Sequence, residues 1–199
     1  MEPGRADAVQ PGREERLRLL EVLRKILQSI GSVRDDWEIF ETAVRETARQ
    51  LRYDWVSLVL EDLDERTARV FLSMPGGPGA LHVGEVVDAR SAFREAMKSG
   101  TPFLRESLDR GGPLWEDQAL RTVGIVAYAA IPIAIRGKII GSLNVGTRDA
   151  GGLTGNVGLL TQLAEFLANA VLAARLIAEV QQGLSRLRDK AANQPSLQL

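Results

Sequence analysis

The chain has 199 residues, 45% of them hydrophobic, with 25 Lys plus Arg against 26 Asp plus Glu; this is enough for one domain with a sizeable core and helical extensions. Charge so evenly balanced creates no net field for nucleic acid or an anionic membrane. There is no cysteine and one histidine, His82, which excludes disulfides, zinc–thiolate and iron–sulfur sites, cysteine nucleophiles and any multi-histidine metal centre.

Residues 1–12 carry Pro3, Gly4, Pro11 and Gly12 without periodicity and read as a disordered lead-in. From Arg13 to Ile30, Leu17, Leu20, Leu23, Leu27 and Ile30 recur at steps of three and four, the signature of an amphipathic helix, and Gly31 ends it. A second helix is predicted from about Asp35 to Leu51 on Trp37, Phe40, Val44, Ala48 and Leu51, with Asp35 and Asp36 placed favourably in its first turn. The period then drops to two. Trp55 to Leu60 and Ala68 to Leu72 read as strands, and the acidic run Glu61 to Glu65 as the solvated turn between them. Pro75 to Gly79 is a loop, followed by a short strand at Leu81 to Val87.

Asp88 to Ser99 is predicted helical, with Ala92, Phe93, Ala96 and Met97 on one face and Gly100 as its end. Thr101 to Leu104 is a brief extended piece, and Leu114 to Val123 a short helix with Trp115 and Leu120 on its apolar side. Ile125 to Ile135 and Lys138 to Val145 are rich in β-branched residues and joined by Arg136-Gly137, the pattern of a tight hairpin. Pro132 lacks a ladder donor, so it belongs at a bulge or where the ladder faces away. A long helix follows from about Asn156 to Lys190. Leu160, Leu163, Leu167, Ala170, Ala174, Ile177 and Leu184 hold a spacing near 3.5, the seam of a coiled coil or helix-bundle dimer. Residues 191–199 form a polar tail.

No apolar run reaches the ~18 residues of a membrane span, and the N-terminus lacks the core of a signal peptide. The expectation is a soluble, cytoplasmic protein without direct nucleic-acid or membrane partners. The fold class is α/β of the α+β kind: a central antiparallel sheet of about six strands, terminal helices on one face and inserted short helices on the other.

This element order resembles that of the GAF domain family. The resemblance is carried by the hairpin from Gly124 to Gly146: a glycine entry, an apolar strand with Ile131-Pro132, a tight turn, then Ile140-Gly141-Ser142-Leu143-Asn144-Val145. Leu153, Leu159-Leu160 and Leu163 match the family's passage into its last helix. The resemblance covers roughly residues 32–178, the expected sensor domain, with 13–31 an N-terminal helix and 179–190 an extension of the last one. It implies a ligand pocket between the sheet and the inserted helices, lined here by Ser57, Phe71, Phe93, Trp115, Tyr128, Ser142 and Asn144; the same aromatics serve equally as core filling. Along the second hairpin strand, Ile139, Gly141, Leu143 and Val145 are expected under the terminal helices, and Ile140, Ser142 and Asn144 on the pocket side. Gly141 is the point where a neighbouring element comes close.

The same resemblance implies a homodimer whose interface is formed by Leu20, Leu23, Leu27 and Ile30 of the first helix with Leu163, Leu167, Ala170, Ala174 and Ile177 of the last. Known subtypes narrow the chemistry. Without cysteine, the usual bilin attachment and the family's free methionine sulfoxide reductase activity are lost. The acidic pair of the cyclic-nucleotide signature is missing. A haem would depend on His82 alone. The expectation is therefore a non-catalytic sensor without cofactor, which binds a small-molecule effector and acts on a signalling partner or fused output domain. The alternatives are a ligand-free interaction module, or the effector-binding part of a transcription regulator, although no helix-turn-helix is visible.

Overall fold

Strands β1 (Trp55–Glu61), β2 (Ala68–Met74), β3 (Phe103–Arg105), β4 (Ala127–Ile135) and β5 (Lys138–Thr147) form one antiparallel sheet in the order β2-β1-β5-β4-β3. The structure is a computed structural model that describes residues 12–30, 36–62, 67–75, 80–109, 113–149, 152–153 and 155–192. Of the two expected flexible ends, 1–11 and 193–199 lie outside the described residues; Ala191 and Ala192 still belong to the last helix.

Alternation along the strands divides the core into two layers. Val56, Leu58, Ala127, Ala129, Ile131, Ile133, Leu143 and Val145 face helices α1 (Arg13–Ile30), α2 (Asp36–Leu51) and α5 (Val157–Ala192). Trp55, Val59, Val70, Tyr128 and Ala130 face α3 (Ala92–Ser99) and α4 (Asp117–Thr122). The turn Arg136-Gly137 has φ of 52° and 80°, as a two-residue hairpin turn requires. Pro132 lies beyond the last β3 pair, Phe103↔Ala130, and beside the register shift at Ile133/Ala134, where its missing donor is tolerated.

Three expectations change. The sixth strand reduces to one bridge, Arg69↔Val86. Val70 N donates to Glu85 O at 2.9 Å and Val87 N to Ala68 O at 2.8 Å, but the chain turns at Gly84, φ 87°, and leaves no length for a ladder. On β5, Ile133 pairs with Gly141 and Ala134 with Ile139, so Ile140 is an extra residue. That bulge reverses the expected alternation: Ile139 packs into the α3 layer and Ile140 against the α1–α2–α5 layer. On β2, Val59 pairs with Val70 and Leu58 with Leu72, which makes Phe71 the extra residue. Its ring meets Phe40 of α2 edge-on at 5.7 Å.

Helix α5 extends about 54 Å at the usual rise. Its residues Leu160, Leu163, Leu167, Ala170 and Val171 are buried against the sheet. The expected dimer positions Leu163, Leu167 and Ala170 are therefore core residues, because the stripe with spacing near 3.5 is the stripe that faces this chain's own sheet. Leu20 and Leu27 on α1, and Ile177 on α5, are about half exposed, while Leu23 is half-buried. The side chains of Ile30 and Ala174 lie outside the described residues. Past Val171 the sheet no longer covers α5, so Leu176, Ile177, Val180 and Leu184 stand exposed.

Candidate functional site

The α3–α4 layer lies over three rows of side chains on the sheet. Trp55, Gly146 and Tyr128 align across β1, β5 and β4, continuing to Arg105 on β3. The next row is Ser73, Ser57, Asn144, Ala130 and Phe103. The third includes Val59, Ser142 and Pro132. Gly146 is glycine because a Cβ there would sit 2.9 Å from Ile125 Cγ2 and 3.2 Å from Trp55 Cε3.

Helix α3 brings Phe93 down between Trp55 and Tyr128. Its rings are stacked with Trp55 at 6.0 Å and edge-on to Tyr128 at 6.1 Å and Trp115 at 6.5 Å. Ser91 caps α3 by accepting from Phe93 N, and Gly100 closes it in the left-handed region. Ala92 and Ala96, on the buried face, let the helix approach closely.

Helix α4 begins later than the sequence pattern indicates, since Asp117 Oδ2 takes the Leu114 N–H at 2.9 Å. At its start two carboxylates hold the layer together. Glu116 Oε1 accepts from Ala92 N at 3.0 Å and from Tyr128 Oη at 2.5 Å, so one oxygen ties the N-terminus of α3 to β4. Asp117 Oδ2 pairs with Arg105 Nη2 at 3.0 Å, tying α4 to β3. Arg105 and Arg121 both donate to the Leu108 carbonyl. Burial pushes the Glu116 carboxyl above its ordinary value, opposed by the Tyr128 hydrogen bond. Burial, reinforced by the Glu116 charge, pushes the Tyr128 phenol well above its ordinary range, so it remains a donor.

Ser57, Phe93, Trp115, Tyr128, Ser142 and Asn144 all belong to this layer; Trp115 is half-buried and the others are fully buried. Phe71 does not, because the β2 bulge turns it to the helix face. Asn144 Nδ2 donates to Ser57 Oγ at 3.2 Å and Trp55 Nε1 to Ser73 Oγ at 3.1 Å. Ser142 Oγ, Asn144 Oδ1, Glu116 Oε2 and Asp117 Oδ1 are buried without a hydrogen-bond partner. Sequence reasoning missed Trp55, Arg105, Glu116 and Asp117. Trp55 was within reach, being two residues from Ser57 on the same strand face. The acidic pair reads, in sequence, like an exposed helix start.

A separate cleft of about 350 Å³ lies at the far end of α3, among Ala89, Arg94, Met97, Lys98, Glu61 and Ile139. A groove of about 560 Å³ runs between α1 and α5 past Leu19, Leu20, Leu23 and Leu159. Among the described residues no His/Cys/Asp/Glu group could hold a metal ion, and no helix is long and apolar enough to cross a membrane.

The family model described as GAF domain matches residues 38–171. A search of curated proteins finds no match. Among solved structures, the free methionine-R-sulfoxide reductase from Neisseria meningitidis, in complex with its substrate, is similar with 18% identity over 84% of this chain and 96% of that one, TM-score 0.67. The GAF domain of an Acinetobacter phosphoenolpyruvate-protein phosphotransferase is similar with 16% identity over 81% and 97%, TM-score 0.63. The GAF domain of a two-component sensor histidine kinase from Bacillus halodurans is similar with 20% identity over 80% and 97%, TM-score 0.56. At these identities the likeness is one of fold.

Proposed function

This chain belongs to the GAF domain family, and we propose that it is the sensing part of a signalling protein, taking a small molecule between the sheet and α3–α4 and pairing with a second copy through α1 and α5. GAF relatives are sensor domains in signalling proteins, the sensor histidine kinase among them. One structural neighbour is an enzyme, so the fold alone does not separate sensing from catalysis. The non-catalytic reading is supported by the residues: the sequence has no cysteine, and its one histidine, His82, is exposed and outside this layer.

The observation that carries the ligand is the set of buried polar atoms without partners. An unpaired buried group costs about 1–3 kcal/mol, and native proteins keep few of them. Four in one layer are costs that a bound molecule offsets. Native mass spectrometry of protein isolated from its own host tests this. A molecule bound at unit stoichiometry, lost on Asn144→Leu, is the expected result; repeated preparations without one refute it. The runner-up, an interaction module without ligand, is favoured by the contacts of Phe93 with Trp55 and Tyr128, which fill the centre of the layer.

Pairing rests on the exposed apolar positions of α1 and α5 rather than on the stripe that faces the sheet. Leu27→Glu combined with Ile177→Glu is expected to lower self-association in sedimentation velocity with little change in stability. An unchanged association constant removes this interface.

A further inference from the structure

We propose that Glu116 is a proton-operated latch on the α3–α4 layer, which closes on Glu116 as the neutral acid and loosens as the carboxyl ionises. The latch needs no bound molecule and so goes beyond the ligand reading above. Glu116 is 0% exposed. Both hydrogen bonds it accepts at close range end on one oxygen: Oε1 takes the Ala92 N–H at 3.0 Å and the Tyr128 phenol at 2.5 Å. Oε2 is buried without a hydrogen-bond partner. That is the pattern of an acid, in which a carbonyl oxygen offers two lone pairs to two donors and the other oxygen carries the proton. An ionised carboxyl would leave a share of its charge on an oxygen that nothing solvates, which costs more than an unbonded neutral hydroxyl.

The surroundings meet Glu116 with neutral groups. Strand β4 supplies the Tyr128 phenol, and the start of α3 supplies the Ala92 N–H and the Ser91 hydroxyl. The nearby charges are engaged elsewhere. Arg105 of β3 pairs with Asp117 Oδ2 of α4 at 3.0 Å, and the same oxygen takes the Leu114 N–H. Arg121 of α4 is exposed and donates to the Leu108 carbonyl. Arg90, ahead of α3, is exposed, and Arg94 and Lys98 of α3 line the separate cleft. Burial outweighs the hydrogen bonds and holds the Glu116 carboxyl above its ordinary 4.5.

Glu116 stands where a change of charge can move the layer. It immediately precedes α4, a helix of six residues, and one of its oxygens joins that helix to both α3 and β4. Trp115 beside it is half-buried, so solvent reaches the neighbouring residue. An ionised Glu116 gains hydration by turning to that side, and in turning it leaves Ala92 and Tyr128. The seated layer binds the proton more tightly than the loosened one, in which the carboxyl meets water. Between 4.5 and the seated value, rising pH therefore favours loosening; outside that window the balance is level.

Hydrogen–deuterium exchange of the full chain, read by mass spectrometry between pH 5 and pH 8, tests the latch. After correction for the intrinsic pH dependence of exchange, opening of α3 and α4 is expected to rise with pH, by up to about tenfold per pH unit for one proton released, and then to level. Exchange in α1 and α2 is expected to stay flat. Glu116→Gln, a neutral stand-in for the acid that keeps an acceptor for Ala92 and Tyr128, is expected to flatten the profile with the layer seated. His82→Gln, which removes the sole histidine, should leave the profile as it is. Tyr128→Phe removes a hydrogen bond that favours the ionised form, so the midpoint should move to higher pH; this variant carries the test where Glu116→Gln fails to fold. A flat profile in the unmodified chain overturns the proposal, as does one that persists in Glu116→Gln, vanishes in His82→Gln or keeps its midpoint in Tyr128→Phe. Loosening that extends equally to α1 and α2 overturns it too, because the event is then global.

Discussion

Replacing Gly141 by alanine would set a methyl carbon 2.2 Å from the Val59 carbonyl oxygen, 2.8 Å from Leu60 Cδ2 and 3.2 Å from Leu60 Cα. Ordinary contact needs roughly 1 Å more than the shortest of these. The closest atom is backbone, so no side-chain rotation relieves it, and β1 must part from β5 where Leu60 pairs with Gly141. Overpacking costs about 1–3 kcal/mol, and losing one or two ladder bonds adds about 1 kcal/mol each. The sum, about 2–5 kcal/mol, is a large share of a typical ~5–15 kcal/mol stability. At about 2–4 °C per kcal/mol for a chain of this size, the melting temperature falls on the order of 10 °C. Far-ultraviolet circular dichroism on heating and in urea reads this. Gly158→Ala is the control: its Cβ meets nothing within 4 Å, and in a helix the change leaves stability equal or higher by about 0.5 kcal/mol. A Gly141→Ala protein within about 0.5 kcal/mol of the unmodified chain refutes this close approach of β1 to β5.

Burial raises the Glu116 carboxyl above 4.5 in the folded chain, so between 4.5 and the folded value the folded state binds more protons than the unfolded one. Its contribution to stability is therefore lost as pH rises through that window. The unmodified chain should gain on Glu116→Gln in urea denaturation at pH 5 relative to pH 8; a constant or reversed difference shows that burial does not penalise this carboxylate. Ser142→Ala removes a buried hydroxyl without a partner, and the ligand-free protein is expected to be as stable or up to about 1 kcal/mol more stable; a loss above about 1 kcal/mol means the hydroxyl is bonded. Phe71→Ala, which strips a half-buried ring from Phe40, should cost about 2 kcal/mol and leave the molecule bound in native mass spectrometry unchanged; its loss would return Phe71 to the ligand layer.

The hairpin from β4 to β5 was legible because its signals are local: β-branched runs, a turn with positive φ, and a glycine at a close approach. The division of the core into two layers followed from strand alternation. What failed was alternation across a bulge. Ile140 and Phe71 are each one residue too many for their partner strand, and nothing in their own chemistry announces it, since Ile and Phe suit either face. The dimer seam failed differently. A 3.5-residue stripe records burial and not the identity of the burying surface, so Leu163 and Leu167 looked the same whether a sheet or a second helix covered them. Glu116 and Asp117 were hidden for a third reason. Their burial depends on Tyr128 and Arg105, which reach them only through the pairing of β3 with β4.

That pairing also bears on how a bound molecule could be felt elsewhere. The α3–α4 layer and helix α5 lie on opposite faces of the sheet, so a change at Glu116 reaches α5 through strands that touch both. Strand β4 does so residue by residue: Tyr128 and Ala130 face the carboxylate layer, while Ala127, Ala129 and Ile131 pack under the terminal helices. Glu116 grips this strand through Tyr128 and α3 through Ala92 with a single oxygen. A molecule bound in this layer that took up that oxygen would weaken one grip or redirect it. Interdigitated side chains in a sheet core do not deform gradually, so a shifted β4 must carry Ala129 and Ile131 with it. The helix above them runs on to Leu176, Ile177, Val180 and Leu184, exposed beyond the sheet, where a displacement at its base would be presented to a second copy or an output domain.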